Sequence, residues 1–120
     1  MDIEDLEVYQ LAMKYAEEVY AIVIKWDSFN KYSLGQQWID AADSIGANIS
    51  EGFGRYHYKD NKRFCYFSRG SLSECKTWCT KAYNRNLISE EIFIKLKNDK
   101  VLIYKKLNSY INSIGRKMLP

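Results

Sequence analysis

Nucleophilic or metal chemistry would have to be assembled here from very few residues. His57 is the single histidine, and the cysteines are Cys65, Cys75 and Cys79. A Ser-His or Cys-His pair needs an imidazole held beside its nucleophile, yet His57 falls in a turn between two helical patterns. Cys75-x-x-x-Cys79 places two thiols on one helical face, but Cys65 is nearly three turns away and His57 precedes the helix. The cysteines therefore read as small core residues rather than zinc ligands. A di-iron bundle site requires Glu-x-x-His on two helices, and no glycine-rich phosphate loop follows a strand. The expectation is no catalytic residue, no metal and no cofactor, and hence not an enzyme.

Two polar constellations remain. Asn48, Glu51 and Arg55 lie at i, i+3 and i+7 beside Gly52, and Arg63, Gly70, Ser71 and Glu74 line one face of the following helical pattern. A hairpin turning near residue 57 sets Glu51 against Arg63 and Ser44 against Gly70. Half-buried charge needs a partner, so a structural Glu51–Arg63 pair is expected, with Asn48 and Ser71 satisfying backbone groups. The alternative for this set is a ligand or nucleic-acid site. The turn itself, Arg55 to Arg63, carries four fixed positive charges against one negative with three rings interleaved. Arg55, Tyr56, His57, Tyr58, Lys59, Lys62 and Arg63, with Arg69 beyond them, are candidate contacts for phosphates and stacked bases.

The elements that must position these residues are helices. Leu6, Tyr9, Met13, Ala16, Tyr20 and Val23 alternate steps of three and four, and Val8, Leu11, Tyr15, Val19, Ile22 and Trp26 run beside them. So wide an apolar cover suggests two neighbours or a partner subunit. Asp27 to Ser33 reads as a turn ending in an N-cap, Ser33. Leu34, Trp38, Ala41, Ile45, Asn48 and Gly52 repeat the pattern, with Gly54 as a left-handed helix terminator. Asp60 or Asn61 caps a third helix, on which Phe64, Phe67, Ser71 and Trp78 lie beside Cys65, Ser68, Leu72, Cys75, Cys79 and Ala82. Ser89 caps a fourth, with Glu90 and Glu91 at the positive end of its dipole and Ile88 and Phe93 as a hydrophobic staple. Its stripe, Phe93, Leu96, Lys100, Ile103, Leu107, Tyr110 and Ile114, is broken only by Lys100.

No segment alternates long enough to be a strand, and the short connections favour antiparallel neighbours. The chain therefore reads as one all-α domain over residues 1–120, an antiparallel up-down-up-down four-helix bundle with helices at 3–26, 34–53, 60–83 and 90–114. Composition agrees: 120 residues, 47% hydrophobic and 15% aromatic, suffice for a single core. The acidic opening and the absence of a long uncharged stretch point to a cytoplasmic protein with no membrane span, where three thiols form no disulfide framework. A net charge of +3 hides an asymmetry. Residues 1–60 hold five Lys or Arg against eleven Asp or Glu, and residues 61–120 thirteen against four. The halves either neutralise each other in the bundle or leave a basic face for nucleic acid.

Asn48-Ile49-Ser50-Glu51-Gly52-Phe53-Gly54-Arg55, then Arg63-Phe64, then Gly70-Ser71-Leu72-Ser73-Glu74 resemble the blocks of the bacterial four-helix-bundle family also called S23, the 23S rRNA intervening-sequence proteins. Leu6-x-Val8-Tyr9-Gln10-x-Ala12 resembles its N-terminal block, with Tyr9 where Trp is common. Ser50 stands for the usual Ala, and Asp27-Ser28 lacks the common Pro. The resemblance implies a left-handed bundle, assembly into a ring-like homopentamer and no known enzymatic activity. Members occur within 23S rRNA intervening sequences, and the accessory variability protein of diversity-generating retroelements is similar, so RNA or a nucleoprotein is the implied partner. Asn48, Glu51, Gly52, Arg55, Arg63, Ser71 and Glu74 transfer only as motif positions. The expected function is a non-enzymatic oligomeric binding module contacting RNA through a basic surface. Its rival is a protein-interaction scaffold, a ring-shaped homo-oligomer that binds no nucleic acid.

Overall fold

Four long helices carry the chain: α1 (Glu7–Val23), α2 (Gln36–Phe53), α3 (Tyr58–Asn84) and α4 (Glu90–Ser113). The structure, a computed structural model, describes residues 1–116, and among them there is no strand. The Cα atoms extend over 54 × 23 × 20 Å. No helix among the described residues is long and apolar enough to cross a membrane.

Residue numbers rising along one helix meet falling numbers on its neighbour. Tyr15 meets Trp38 between α1 and α2, and a side chain at Gly35 would strike Val23 there. Ile45 lies opposite Ser68, and Gly52 opposite Asn61, between α2 and α3. Arg69 meets Asn108 and Tyr83 stacks on Phe93 between α3 and α4. Glu7 reaches Lys106 at 3.2 Å and Glu18 reaches Lys95 at 2.8 Å, which closes the bundle between α4 and α1. The α2–α3 register lies one residue from the one expected.

The core stripes are those the spacing marks out, with one choice resolved on each of two helices. On α1 the buried set is Val8, Ala12, Tyr15, Ala16, Val19 and Val23, whereas Met13 and Tyr20 of the neighbouring stripe stay 43% and 49% exposed. On α3 the Cys65, Ser68, Leu72, Cys75, Cys79 and Ala82 stripe enters the core, while Phe67 faces out. Lys100 does not break the α4 stripe; it is buried within it beside Leu96 and Ile103.

Helix ends bring several corrections. Residues 27 to 33 are not a turn that ends in an N-cap at Ser33. Asp27 caps a short helix, Ser28–Asn30, by accepting the Asn30 backbone N–H at 3.2 Å, and a π-helical segment, Lys31–Gly35, leads into α2. Ser33 lies inside that segment and donates its hydroxyl to the Phe29 carbonyl at 2.6 Å, as Ser does when a helical carbonyl is nearer than an unpaired N–H. Gly54 is right-handed (φ −80°, ψ −3°) rather than left-handed, because α3 resumes only a few residues later. The third helix starts at Tyr58 with His57 as its cap residue, so Asp60 and Asn61 lie inside it. It is α3 that ends on a left-handed residue, Asn86 (φ 62°). There the Leu87 N–H donates to Ala82 and the Asn86 N–H to Tyr83, the 6→1 and 5→2 bonds of a Schellman ending. Ser89 caps α4 as expected, its hydroxyl accepting the Ile92 N–H at 3.2 Å.

Candidate nucleic-acid interface

The turn between α2 and α3 is one end of the rod, and Gly52 makes it tight. A Cβ at residue 52 would lie 2.7 Å from Asn61 Oδ1, 2.8 Å from the Asn61 carbonyl oxygen and 3.0 Å from Phe64 Cβ. The two backbones therefore approach as closely as they do only because position 52 carries no side chain. Asn61 then turns inward and its amide nitrogen donates to the Tyr110 hydroxyl at 3.3 Å. This anchors the start of α3 to α4.

Glu51 and Arg63 do not pair. Arg55 Nη2 lies 2.6 Å from Glu51 Oε1, and Arg63 Nη2 lies 3.8 Å from Asp60 Oδ1, with all four side chains more than a third exposed. Each charge finds a partner within one turn of its own chain, which costs less ordering than a cross-helix contact. Phe64 joins the two arginines instead. Arg55 covers its ring at 4.7 Å from the centroid, and Arg63 approaches it at 5.6 Å.

Of the other motif residues, Asn48 is half-buried and its amide donates back to the Ser44 carbonyl at 2.9 Å. Ser71 is buried and Glu74 is exposed. The cross-helix backbone contact belongs to Ser68, whose hydroxyl donates to the Ile45 carbonyl at 2.7 Å in the core. Ser68 sits on the buried cysteine stripe, and that position is the signal for it.

Beyond the arginines the turn is open. Tyr56 is 92% exposed and stands edge-on to His57, ring centroids 5.0 Å apart. Lys59 is exposed and Lys62 half-exposed, and neither has a carboxylate within 4.0 Å among the described residues. Tyr58 is partly committed, since its ring packs against Gly115, a left-handed glycine after α4 (φ 85°). Arg69 is committed too: its guanidinium donates to Asn108 Oδ1 at 2.8 Å and lies over the Tyr66 ring at 5.0 Å. The structure thus leaves Tyr56, His57, Lys59 and Lys62 available in and just after the turn and sets Arg55, Arg63 and Arg69 into side-chain contacts.

The cysteines lie in the core as unpaired thiols. Burial pushes Cys65 up to about 11 and Cys75 up to about 12. Tyr15, buried in the same core, accepts the Trp38 indole N–H at its hydroxyl at 3.2 Å. No three His, Cys, Asp or Glu side chains gather into a metal-binding group among the described residues.

The fold is shared with a solved protein of unknown function from the S23 ribosomal protein family of Bacteroides thetaiotaomicron VPI-5482. The two superpose with a TM-score of 0.80 at 21% identity, over 87% of this chain and 97% of that one. No curated protein matches the chain. The family model for the 23S rRNA-intervening sequence protein matches residues 4–109, a span that takes in α1, α2, α3 and most of α4, the tight Gly52 turn and the Ser68 contact. The chain belongs to the 23S rRNA-intervening sequence protein family.

Proposed function

We propose that this protein is a non-enzymatic, self-associating module that holds single-stranded RNA through the turn between α2 and α3. The observation that carries the reading is Tyr56, a ring 92% exposed at the tip of the rod and braced edge-on by His57. Lys59 and Lys62 follow it in the first turns of α3, with no carboxylate within 4.0 Å among the described residues. An exposed aromatic flanked by unpaired ammonium groups suits a base stacked beside its own phosphates. Arg55 and Arg63 keep Phe64 in place beneath the turn and leave the phosphate contacts to the lysines.

Filter binding of the purified protein to single-stranded RNA over a salt series tests this. Affinity falls with salt by a log-log slope of about 0.7 per neutralised phosphate. Replacing Lys59 and Lys62 with Ala flattens the slope, and Tyr56→Ala weakens binding by roughly 1–3 kcal/mol. Folded protein that retains no RNA at about 50 mM salt, where phosphate contacts are strong, would overturn the reading.

The scaffold reading is favoured by the outward face of α1. Met13, Tyr20 and Ile24 are 43%, 49% and 44% exposed at spacings of seven and four, an apolar strip of the kind that covers a partner helix. Light scattering at a mass several times 14.2 kDa, with no RNA retained, would select it.

A further inference from the structure

A groove of about 530 Å³ runs between α3 and α4, away from the α2–α3 turn. Leu72, Phe93 and Val101 supply apolar walls, and Lys76, Lys97 and Lys105 stand at its rim. Its floor holds Lys100, only 7% exposed on the core stripe of α4. None of these four lysines has a carboxylate within 4.0 Å among the described residues.

A buried ammonium without an anion is costly, and burial accordingly holds Lys100 below the ordinary lysine value. Cys79 and Cys75 oppose that shift, while the charge of Lys76 adds to it. The thiols supply no counter-charge near neutral pH, since burial raises both of them. A lysine desolvated in an apolar pocket next to other cations is the arrangement that makes an amine nucleophilic.

We propose that Lys100 is an imine-forming amine and that the α3–α4 groove admits a small anionic aldehyde or ketone. The rim lysines draw the anionic group, which leaves the carbonyl carbon over the floor. The nitrogen lone pair attacks that carbon to give a carbinolamine. Loss of water breaks the C–O bond and forms C=N, and the two amine protons leave with the carbonyl oxygen as that water. Amine plus carbonyl gives imine plus water, and no electrons change hands. This site stands whether or not the α2–α3 turn binds RNA.

Pyridoxal 5′-phosphate, an aldehyde bearing a phosphate, is the probe. The full chain is incubated with it at neutral pH, reduced with borohydride and mapped by peptide mass spectrometry. An ordinary lysine is neutral in fewer than about one molecule in a thousand at that pH, and each unit its pKa falls multiplies the fraction about tenfold. Lys100, lowered by its burial, is therefore expected to carry severalfold more label than Lys76, Lys97 or Lys105. Lys97→Ala with Lys105→Ala should slow labelling of Lys100 severalfold, and Lys100→Arg, checked for folding by circular dichroism, should lose the dominant adduct. Label spread over the exposed lysines with Lys100 unmodified in the native chain would overturn the proposal, whatever the variants do.

Discussion

Arg55 and Glu51 form an ion pair at 2.6 Å, and the same guanidinium covers the ring of Phe64 at 4.7 Å. The pair seals the end of α2 while remaining in water, so its Coulomb energy is screened and its value lies in orienting Arg55 over the ring.

Glu51→Ala is accordingly expected to cost less than about 1 kcal/mol. Arg63→Ala should cost as little, and the double variant should equal the sum of the two within about 0.5 kcal/mol. Urea denaturation of the four proteins measures this. A coupling above about 1 kcal/mol between residues 51 and 63 would mean that they interact directly.

The two motif glycines should respond to alanine with opposite signs. Gly52→Ala drives a methyl into the Asn61 backbone and Phe64, and overpacking of this kind costs about 1–3 kcal/mol. Gly70 lies on the exposed side of α3 with nothing within 4 Å of an added Cβ, so Gly70→Ala should stabilise by about 0.4–1 kcal/mol. Thermal melts of both variants decide it, and a destabilised Gly70→Ala would show a contact absent from the single chain.

The buried thiols set an alkaline limit. Cys65 and Cys75 are pushed up to about 11 and 12, and Cys79 also rises, whereas an unfolded cysteine titrates near 8.5. Below about pH 8.5 both states keep the thiol protons, and above it the unfolded chain alone releases them. Stability therefore falls as pH rises toward 11, by up to about 1.4 kcal/mol per unit for each thiol. Lys100, lowered in the fold, works the other way, but it is one group against three. Urea midpoints under reducing conditions at pH 8, 9 and 10 should decline progressively, and a flat series would mean that the fold tolerates thiolates.

The features legible in the sequence are local or periodic. Ser89 is readable because a cap is satisfied three residues away, and the cysteine stripe is readable because burial on a helix repeats every three or four residues. Asp27 reads as a turn former yet caps a helix, since Asp serves both and the choice depends on whether the next residues continue as a helix. The Glu51–Arg63 pair fails for a different reason. The hairpin register is nearly right, but Arg55 and Asp60 offer each charge a nearer partner. Lys100 reads as an interruption because a lysine on a core stripe has no separate signature. Whether it breaks the stripe or is buried in it depends on α3 lying alongside.

The π-helical segment Lys31–Gly35 acts as a phase adjuster between two helices. One residue of an α-helix turns the chain by about 100° and advances it by about 1.5 Å, and a π turn absorbs one residue more than an α turn does. The Asp27 cap and the α2 core stripe can each keep their own angular setting because the extra residue takes up the difference. Gly35 closes the segment against Val23, where a Cβ would come within 2.5 Å of the valine methyl. The junction works as a one-residue spacer, and the angular position of Trp38 and Ile45 is inherited from it.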